Sequence, residues 1–350
     1  MLTCRFLLSI TLLLGLSACR STAVGGPGAE QFIFSHQGLT GLIVVRMYHQ
    51  QGRVLALTTD GLYQEQSGSW IALGLRGTQV RDLAFIDDQH WLAAASLVDT
   101  DGIELHQMHE TFNAGGSWQE VQRPFGANGV HEGLYAMSYD KIQQRLYGTG
   151  VGALAYSDNL GISWQALQGS WGLIGQPKAA LALSPDRSAI WWGGQGAIED
   201  GVLYRHRLSD GDQQVYRDLL PNPSVFYSLR FDGNKIYACG EGGIVMSPNQ
   251  GINWQNLLGN VDHRFYFDVA FDPTRPSRLY TAGWKKSALP QPLILEWSDD
   301  AGQSWKKLQY PGDSSFFGGV RSMVMVQNLR GLHLYLGLYK GGVMHVEVRH

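Results

Sequence analysis

The stretch SDNLGISW, residues 157–164, recurs along this chain in recognisable variants. The others are SPNQGINW at 247–254, SDDAGQSW at 298–305, TFNAGGSW at 111–118 and a shorter QEQSGSW at 64–70. Each variant is a polar run that ends in Gly, one or two further residues and Trp. Polar residues with Gly favour tight turns, and Trp buries a large apolar surface. We therefore interpret the stretch as a turn anchored by an aromatic side chain.

The spacing of these turns indicates a structural repeat. Their final aromatic residues are Trp70, Trp118, Trp164, Trp254 and Trp305, which lie 48, 46, 90 and 51 residues apart. The long step spans two units, and LSDGDQQVY at 208–216, with Tyr216 in place of Trp, occupies the middle of it. A period of about 45 to 50 residues is typical of solenoids and propellers.

Each unit contains four short apolar runs, which decide between these two architectures. In the third unit the runs are LYAMSYD, RLYGTG, ALAYS and WQALQG, separated by Gly and polar residues. Such runs are strands of an antiparallel meander, and four strands make one propeller blade. The sequence therefore predicts an all-β, seven-bladed β-propeller with four-stranded antiparallel blades. The predicted blades span about 39–75, 76–122, 131–169, 172–219, 224–259, 264–310 and 317–350.

The last blade lacks a fourth run, and the missing strand is found at the other end of the chain. The segment GAEQFIFSHQG, residues 28–38, is similar to the end of a repeat and has Phe32 in the Trp position. We expect this N-terminal strand to join the last blade and close the ring. Closure removes the free sheet edges of an open array.

The turn signature S-x-D-x-G-x-[ST]-W resembles the Asp-box, or BNR repeat. This repeat occurs in sialidases, sortilin-type receptors, xyloglucanases and propellers of the photosystem assembly-factor type, and the resemblance covers about 28–350. It implies that Asp carboxylates accept hydrogen bonds from turn amides, that Gly supplies an unusual backbone conformation and that Trp packs between sheets. The residues given these structural roles are Asp158, Gly161, Trp164, Asp299, Gly302 and Trp305. In these families the turns lie on the outer rim, away from ligands.

The first residues resemble a bacterial lipoprotein leader. Arg5 precedes the apolar run FLLSITLLLGL, which ends in LSAC at 16–19. This resembles a lipobox, so residues 1–18 are predicted to be a signal peptide and Cys19 the lipidated residue. Residues 19–29 are predicted to form a flexible tether and 30–350 the propeller. Because Arg20 replaces the Asp of inner-membrane retention, we expect anchoring at the bacterial outer membrane, facing the periplasm.

Composition narrows the possible partners. The formal net charge is −3 and there is no basic stripe, which argues against nucleic acid as a partner. Of three cysteines, only Cys239 lies outside the leader, so neither a disulfide framework nor a cysteine metal site is predicted. The histidines are scattered, and no nucleotide-binding or nucleophile motif is present. We predict neither a metal nor a cofactor.

The loops that join strand four to the next blade, and strands two to three, are where propellers usually bind ligands. In blades 6 and 7 these loops are rich in aromatic and basic residues. The predicted binding face comprises His263, Arg264, Phe265, Trp284, Lys285, Phe316, Arg321, Tyr339 and Lys340. We expect it to bind a protein partner, with a glycan as the alternative ligand.

Asp82 and Asp268 are the best candidate pair of catalytic carboxylates, because they occupy equivalent positions in the first strands of blades 2 and 6. A glycosidase needs two carboxylates that flank the sugar. The preferred interpretation is that each carboxylate caps loop amides, and no sialidase F-R-I-P motif is present. The main prediction is a non-enzymatic, lipid-anchored scaffold or assembly factor for an envelope protein complex. A glycan-active enzyme and a glycan-binding adhesin are the alternatives.

Overall fold

The computed structural model describes residues 21–24, 30–196, 200–220, 225–259, 264–312 and 315–349. Within these ranges the regular structure is entirely β, in strands numbered β1 to β31 along the chain. Seven antiparallel sheets form the blades of a ring, which confirms the predicted seven-bladed propeller. None of the described residues forms a helix long and apolar enough to cross a lipid bilayer.

The first three blades occupy the N-terminal half of the ring. Blade 1 contains β3 (Val44–Gln50), β4 (Arg53–Thr58), β5 (Gly61–Gln66) and β6 (Ser69–Gly74). Blade 2 contains β7 (Gln79–Phe85), β8 (Trp91–Val98), β9 (Glu104–Thr111) and β10 (Gln119–Val121). A hairpin of β11 (Phe125–Ala127) and β12 (Val130–Glu132), which the sequence did not predict, precedes blade 3. Blade 3 contains β13 (Ala136–Asp140), β14 (Arg145–Thr149), β15 (Ala153–Ser157) and β16 (Gln165–Gly169).

The remaining blades follow in the same order. Blade 4 contains β17 (Ala180–Leu183), β18 (Ala189–Gln195), β19 (Gly201–Arg207) and β20 (Gln213–Arg217). Blade 5 contains β21 (Phe226–Asp232), β22 (Lys235–Gly240), β23 (Gly243–Ser247) and β24 (Gln255–Gly259). Blade 6 contains β25 (Ala270–Phe271), β26 (Leu279–Ala282), β27 (Ile294–Ser298) and β28 (Lys306–Gln309). Blade 7 contains β29 (Val320–Asn328), β30 (Gly331–Leu338), β31 (Val343–Arg349) and the N-terminal strands β1 (Ser21–Val24) and β2 (Gln31–His36).

The N-terminal strand closes the ring, as predicted. β2 pairs antiparallel with β31, from Gln31 opposite Arg349 to His36 opposite Met344. Phe34 is fully buried in the hydrophobic cluster that fills the space between blades 6 and 7. The ring of Phe32 lies 4.7 Å from that of Trp297 in blade 6. The strands β2 and β31, which are more than 300 residues apart in sequence, therefore share one sheet.

Part of the segment expected to be a tether lies in this sheet. Ser21–Val24 forms β1 and pairs with β2, which makes blade 7 five-stranded. The predicted signal peptide and Cys19 lie outside the described residues, and their assignment stays a prediction.

The repeated turn has the same hydrogen bonds in four blades. In 157–164 the Ser157 hydroxyl accepts from the Gly161 amide at 2.8 Å, and the Asn159 side-chain oxygen accepts from the Ser163 amide at 2.9 Å. The turns at 111–118, 247–254 and 298–305 repeat both bonds at equivalent positions. Gly161 and Gly302 have φ values of 90° and 93°, which favour glycine.

These bonds correct the roles expected for Asp158 and Asp299. The residue that accepts from the turn amide is the next one, Asn159 or Asp300. Asp158 instead forms an exposed ion pair with Arg145, and Asp299 pairs with Lys306 and Arg278. The physical reason is the position in the turn. The side chain of the third residue lies against the amide of the seventh, whereas that of the second residue meets basic residues outside the turn.

The tryptophan that follows each turn joins neighbouring blades. The Trp305 indole nitrogen donates to the Leu257 carbonyl of blade 5 at 3.0 Å, and Trp118 donates to the Leu73 carbonyl of blade 1 at 2.8 Å. Trp164 is buried in the hydrophobic cluster between blades 2 and 3. The turn and its Trp therefore hold the outer parts of adjacent sheets together.

Candidate binding site at the channel mouth

A cavity of about 610 Å³ lies in the central channel. Residues from the first strands of all seven blades, or from the loops just before them, contribute to its lining. We call the end of the channel at which these strands begin the channel mouth. The loops of the predicted binding face are at this end, because strand two of each blade ends there and strand four returns to it.

Irregularities in the first strands shape the cavity. The pairing between strands one and two skips one residue in blades 1, 2, 5 and 7. The skipped residues are Val45, Arg81, Tyr227 and Arg321, and all four line the cavity. A bulge bends the strand and redirects a side chain, and bulges are frequent beside functional sites.

Asp82 follows one of these bulges and connects three blades. Its fully buried carboxylate accepts from the Arg46 guanidinium at 2.9 Å and from the Tyr48 hydroxyl, both in blade 1. It also accepts from the amide of Met137 in blade 3 at 2.8 Å and from its own neighbour Leu83 at 2.9 Å. Burial and the Asp82 charge raise the pKa of Tyr48, which therefore remains a hydrogen-bond donor.

Asp268 makes the equivalent contacts from blade 6. Its carboxylate, which is 2% exposed, accepts two bonds from Arg230 of blade 5, at 2.8 and 2.7 Å. It accepts from the amide of Met323 in blade 7 at 3.0 Å and from the adjacent Val269 amide at 3.0 Å. The hydroxyls of Ser228 and Ser322 add longer contacts at 3.3 and 3.2 Å.

We call Asp82 and Asp268 the ring carboxylates. Each accepts bonds from the preceding and the following blade, so each fixes the spacing of three consecutive first strands. Both oxygens of each carboxylate already have partners within the chain. A general acid, base or nucleophile must instead reach the substrate. This geometry favours the amide-capping interpretation over that of a catalytic pair.

Most arginines that line the cavity are neutralised by acids. Arg46 pairs with Asp82 and also donates to the Ala179 carbonyl of blade 4 at 2.8 Å, so its side chain reaches across the channel. Arg230 pairs with Asp268, and Arg81 pairs with Glu104. These pairs leave little net charge from the three guanidinium groups.

Arg321 differs from the other three. Its guanidinium carbon lies 5.6 Å from the ring centroids of both Tyr227 and Phe267, and 5.2 Å from that of Trp284. We call these three rings the aromatic box. Burial lowers the pKa of Arg321, although an arginine remains charged at neutral pH.

The predicted binding face is therefore only partly available. Arg264 was wrongly placed on it, because its guanidinium is 3% exposed and forms a 2.8 Å ion pair with Glu296, which is 5% exposed. Trp284 is 5% exposed, stacks on Tyr339 with centroids 4.8 Å apart and packs against Arg321, so it offers a ligand little surface of its own. Lys285 is exposed, and Lys340 is partly exposed beside Tyr339.

The aromatic residues of the predicted face have mixed environments. Phe265 is partly buried and pairs through its backbone with Trp284. Phe316 is partly buried against Tyr310, with centroids 5.3 Å apart. His263 lies outside the described residues. Sequence reasoning missed Tyr227 and Phe267, although Phe267 lies one position before the candidate carboxylate Asp268, and Tyr227 has the same position relative to Ser228 in blade 5.

No group of three metal-ligating side chains occurs among the residues that the structure describes. Cys239 is buried, and burial raises the pKa of its thiol. The described residues at the channel mouth thus supply cationic and aromatic groups that are suited to binding.

Comparison with known proteins identifies the fold. No protein-family model matches the sequence, and no curated relative does. The GH74 enzyme of Niastella koreensis is similar in structure, with a TM-score of 0.67 and 14% identity over 89% of this chain. A GH74 xyloglucanase from Xanthomonas campestris has a TM-score of 0.63 and 15% identity over 89% of this chain. The present chain covers 53% and 55% of these two proteins, about half their length.

A third similar structure is a propeller of comparable size. YCF48 bound to D1 peptide has a TM-score of 0.62 and 16% identity, over 91% of this chain and 97% of that one. The shared feature is the fold. At these identities the likenesses say nothing by themselves about activity or ligand.

Proposed function

We propose that this protein is a lipid-anchored, extracytoplasmic propeller of the Asp-box type that binds another envelope protein at its channel mouth, as a scaffold or assembly factor. The observation that carries this proposal is the saturation of both ring carboxylates within a cavity that keeps cationic and aromatic groups. Such a site has the means to bind a ligand and lacks a free acid for hydrolysis among the residues that the structure describes.

Two further observations support a protein as the ligand. The YCF48 structure contains a bound D1 peptide, so a propeller that this chain covers almost completely is capable of peptide binding. The exposed Lys285 and the partly exposed Lys340 lie in loops around the channel mouth, where they can contribute to the recognition of an acidic partner. The likeness to GH74 enzymes extends to the fold, and the ring carboxylates give the glycan-active alternative no support.

In-cell crosslinking tests the proposal. Wild type and a Lys285→Glu/Lys340→Glu variant are crosslinked in the envelope, purified and compared for captured proteins. Lys141→Glu is the matched control, because Lys141 is exposed in the turn between β13 and β14, at the opposite end of the channel. We expect one partner to be lost with the double variant and retained with the control. Equal capture by all three proteins would refute binding at the channel mouth.

The anchor requires a separate test. Metabolic labelling with a clickable fatty acid should label wild type and fail to label Cys19→Ala. Fractionation should place the labelled protein in the outer membrane. A labelled Cys19→Ala protein would exclude Cys19 as the lipidated residue.

A further inference from the structure

Arg321 carries an unbalanced charge at the channel mouth. Among the described residues it has no hydrogen-bond acceptor and no acidic partner, and its Nε atom is buried without a partner. Glu241, an acid of blade 5 that attracts Arg321 without contacting it, is already paired with Lys286. A buried or half-buried cation without a partner is unfavourable, so a ligand anion would relieve this cost.

The aromatic box positions the guanidinium for such a ligand. Its three rings surround the guanidinium, and Tyr339 supports Trp284 from behind. Gly319 permits this arrangement, because a Cβ at that position would lie 2.0 Å from Cδ1 of Trp284. The guanidinium is thus held by packing, and its Nη groups can meet an anion in the cavity without large reorganisation.

The charge balance favours a carboxylate over a phosphate. Arg46, Arg81 and Arg230 each have their own acid, so Arg321 is the one arginine of the cavity lining that remains to be matched. A carboxylate carries one negative charge and fits the planar guanidinium through two parallel hydrogen bonds. A phosphate monoester carries about −1.5 to −2 and would leave uncompensated negative charge in a desolvated site.

The walls favour a peptide over a sugar. Sugars in binding sites need open ring faces, and two of the three box rings offer almost none, because Trp284 is 5% and Phe267 1% exposed. Tyr227 is the one ring of the box that is partly exposed. Polar groups suited to a main chain are present instead. The side chains of Gln79 and Tyr135 line the cavity and have no hydrogen-bond partner in the described part of the chain. The cavity volume of about 610 Å³ is within the usual range for ligand sites.

We propose that Arg321 binds one carboxylate of an extended peptide segment that enters the channel mouth. This inference rests on the proposed function, because it names the chemistry by which the partner protein is recognised. The carboxylate belongs either to the C-terminus of the partner or to an acidic side chain. The same guanidinium serves both, and the experiment separates them.

Peptide libraries provide the test. The purified propeller is presented with three pools of random hexapeptides that otherwise lack Asp and Glu: one with free C-termini, one amidated, and one amidated with a central Glu. Retained peptides are identified by mass spectrometry and their affinities measured by fluorescence polarisation. We expect retention of the free-acid pool, the Glu pool or both, and no retention of the plain amidated pool. Equal retention of all three pools would overturn the proposal.

Variants connect the binding to Arg321. Arg321→Gln should weaken the best peptide by about 10- to 100-fold, the usual effect of losing a hydrogen bond to a charged group. Arg321→Lys should retain part of the affinity, because it keeps the charge and loses the planar pair of donors. Lys141→Gln removes a positive charge from the opposite face and should have no effect. Thermal melting of each variant establishes that the fold is retained.

The outcomes separate this inference from the proposed function. If Arg321→Gln binds peptides as wild type does, while Lys285→Glu/Lys340→Glu loses its cellular partner, the carboxylate site is wrong and the function stands. If peptides bind through Arg321 but no partner is captured in cells, the proposed function is wrong. A uronic acid oligosaccharide serves as the competing probe. Its binding through Arg321, without peptide binding, would overturn the peptide assignment.

Discussion

Replacing Asp268 with alanine should destabilise the propeller by about 3 to 4 kcal/mol. Breaking a buried ion pair by removing one partner costs roughly 3–5 kcal/mol. Arg230 keeps about a third of its side-chain surface in water, at 31% exposure, which places the ion-pair contribution at the lower end of this range. The amides of Met323 and Val269 also lose their acceptor, and an unsatisfied buried donor costs about 1–3 kcal/mol. These contributions overlap, so they are not summed.

The chain offers controls for this prediction. Ala136 and Ala180 occupy the equivalent positions in blades 3 and 4, so alanine is compatible with the strand itself. Asp158→Ala removes an exposed carboxylate paired with Arg145 and should cost less than about 1 kcal/mol. The contrast between the two aspartates isolates the effect of burial and of contacts between blades.

Urea unfolding followed by tryptophan fluorescence measures the difference. A lower midpoint with an unchanged m-value reports lost stability and not a changed unfolding mechanism. Asp82→Ala should show a comparable loss, because Asp82 contacts its neighbouring blades in the same way. A loss below about 1 kcal/mol for Asp268→Ala, with an unchanged m-value, would refute the assignment of this residue as a connector of three blades.

Three further predictions concern the repeated turn, the closing strand and His345. Hydrogen bonds from the Ser304 hydroxyl and amide lower the pKa of Asp300 to about 2. The Asp300 carboxylate therefore stabilises the fold fully above about pH 4, and this contribution is lost as the pH falls to 2. Urea midpoints of Asp300→Asn should fall less than those of wild type across this range, and parallel curves for the two proteins would contradict the prediction. Phe34→Ala should cost about 3–5 kcal/mol by urea unfolding and Ser35→Ala much less, because Phe34 is fully buried in the closure; equal losses would argue against closure by this strand. Burial lowers the pKa of His345 to about 4. Protonation of this histidine in the unfolded chain therefore leaves stability unchanged above about pH 6.5 and lowers it as the pH falls towards 4. His345→Gln should remove part of the decline in the urea midpoint between pH 7 and 5, and an unchanged decline would exclude His345 as its source.

The ring could be predicted from sequence because its defining signals are local and repeated. The turn that ends at Trp164 is specified within eight residues, and four runs per period define a blade without knowledge of long-range contacts. The closing strand followed from counting, since the last blade lacked one run. β1 was not predicted, because four residues carry little signal and their pairing depends on the edge that β2 provides.

The acceptor of the turn amide lies one residue after the position that the acidic residues suggested. In the turn SDNLGISW the acidic residue Asp158 was predicted to accept the hydrogen bond from the turn amide, but the acceptor is Asn159. The sister turns have Asn113 and Asn249 at this same position, and only 298–305 has an acid there. A comparison of the four turns shows that the third residue is polar in all of them, whereas the second is Pro248 or Phe112 in two.

The binding face was harder to predict because charge pairing is a tertiary property. Arg264 and Arg321 are indistinguishable as sequence candidates, since both precede or begin a first strand. Glu296 lies 32 residues from Arg264 along the chain and neutralises it in the buried interior of blade 6. Arg321 packs against three aromatic rings and forms no ion pair with the residues that the structure describes. No local pattern reveals which arginine finds an acid.

The ring carboxylates distinguish the charges that hold the blades together from the charge that is available to a ligand. Because Asp82 and Asp268 neutralise Arg46 and Arg230 where these side chains meet the channel, the charges that hold the blades together contribute little net field to the cavity. Among the arginines that line the cavity, Arg321 then contributes the largest unpaired charge, because it forms no ion pair with the described residues. A substitution at a ring carboxylate should therefore lower stability and also leave the charge of Arg46 or Arg230 unpaired in the cavity lining. A substitution at Arg321 should change ligand preference while the ring stays folded.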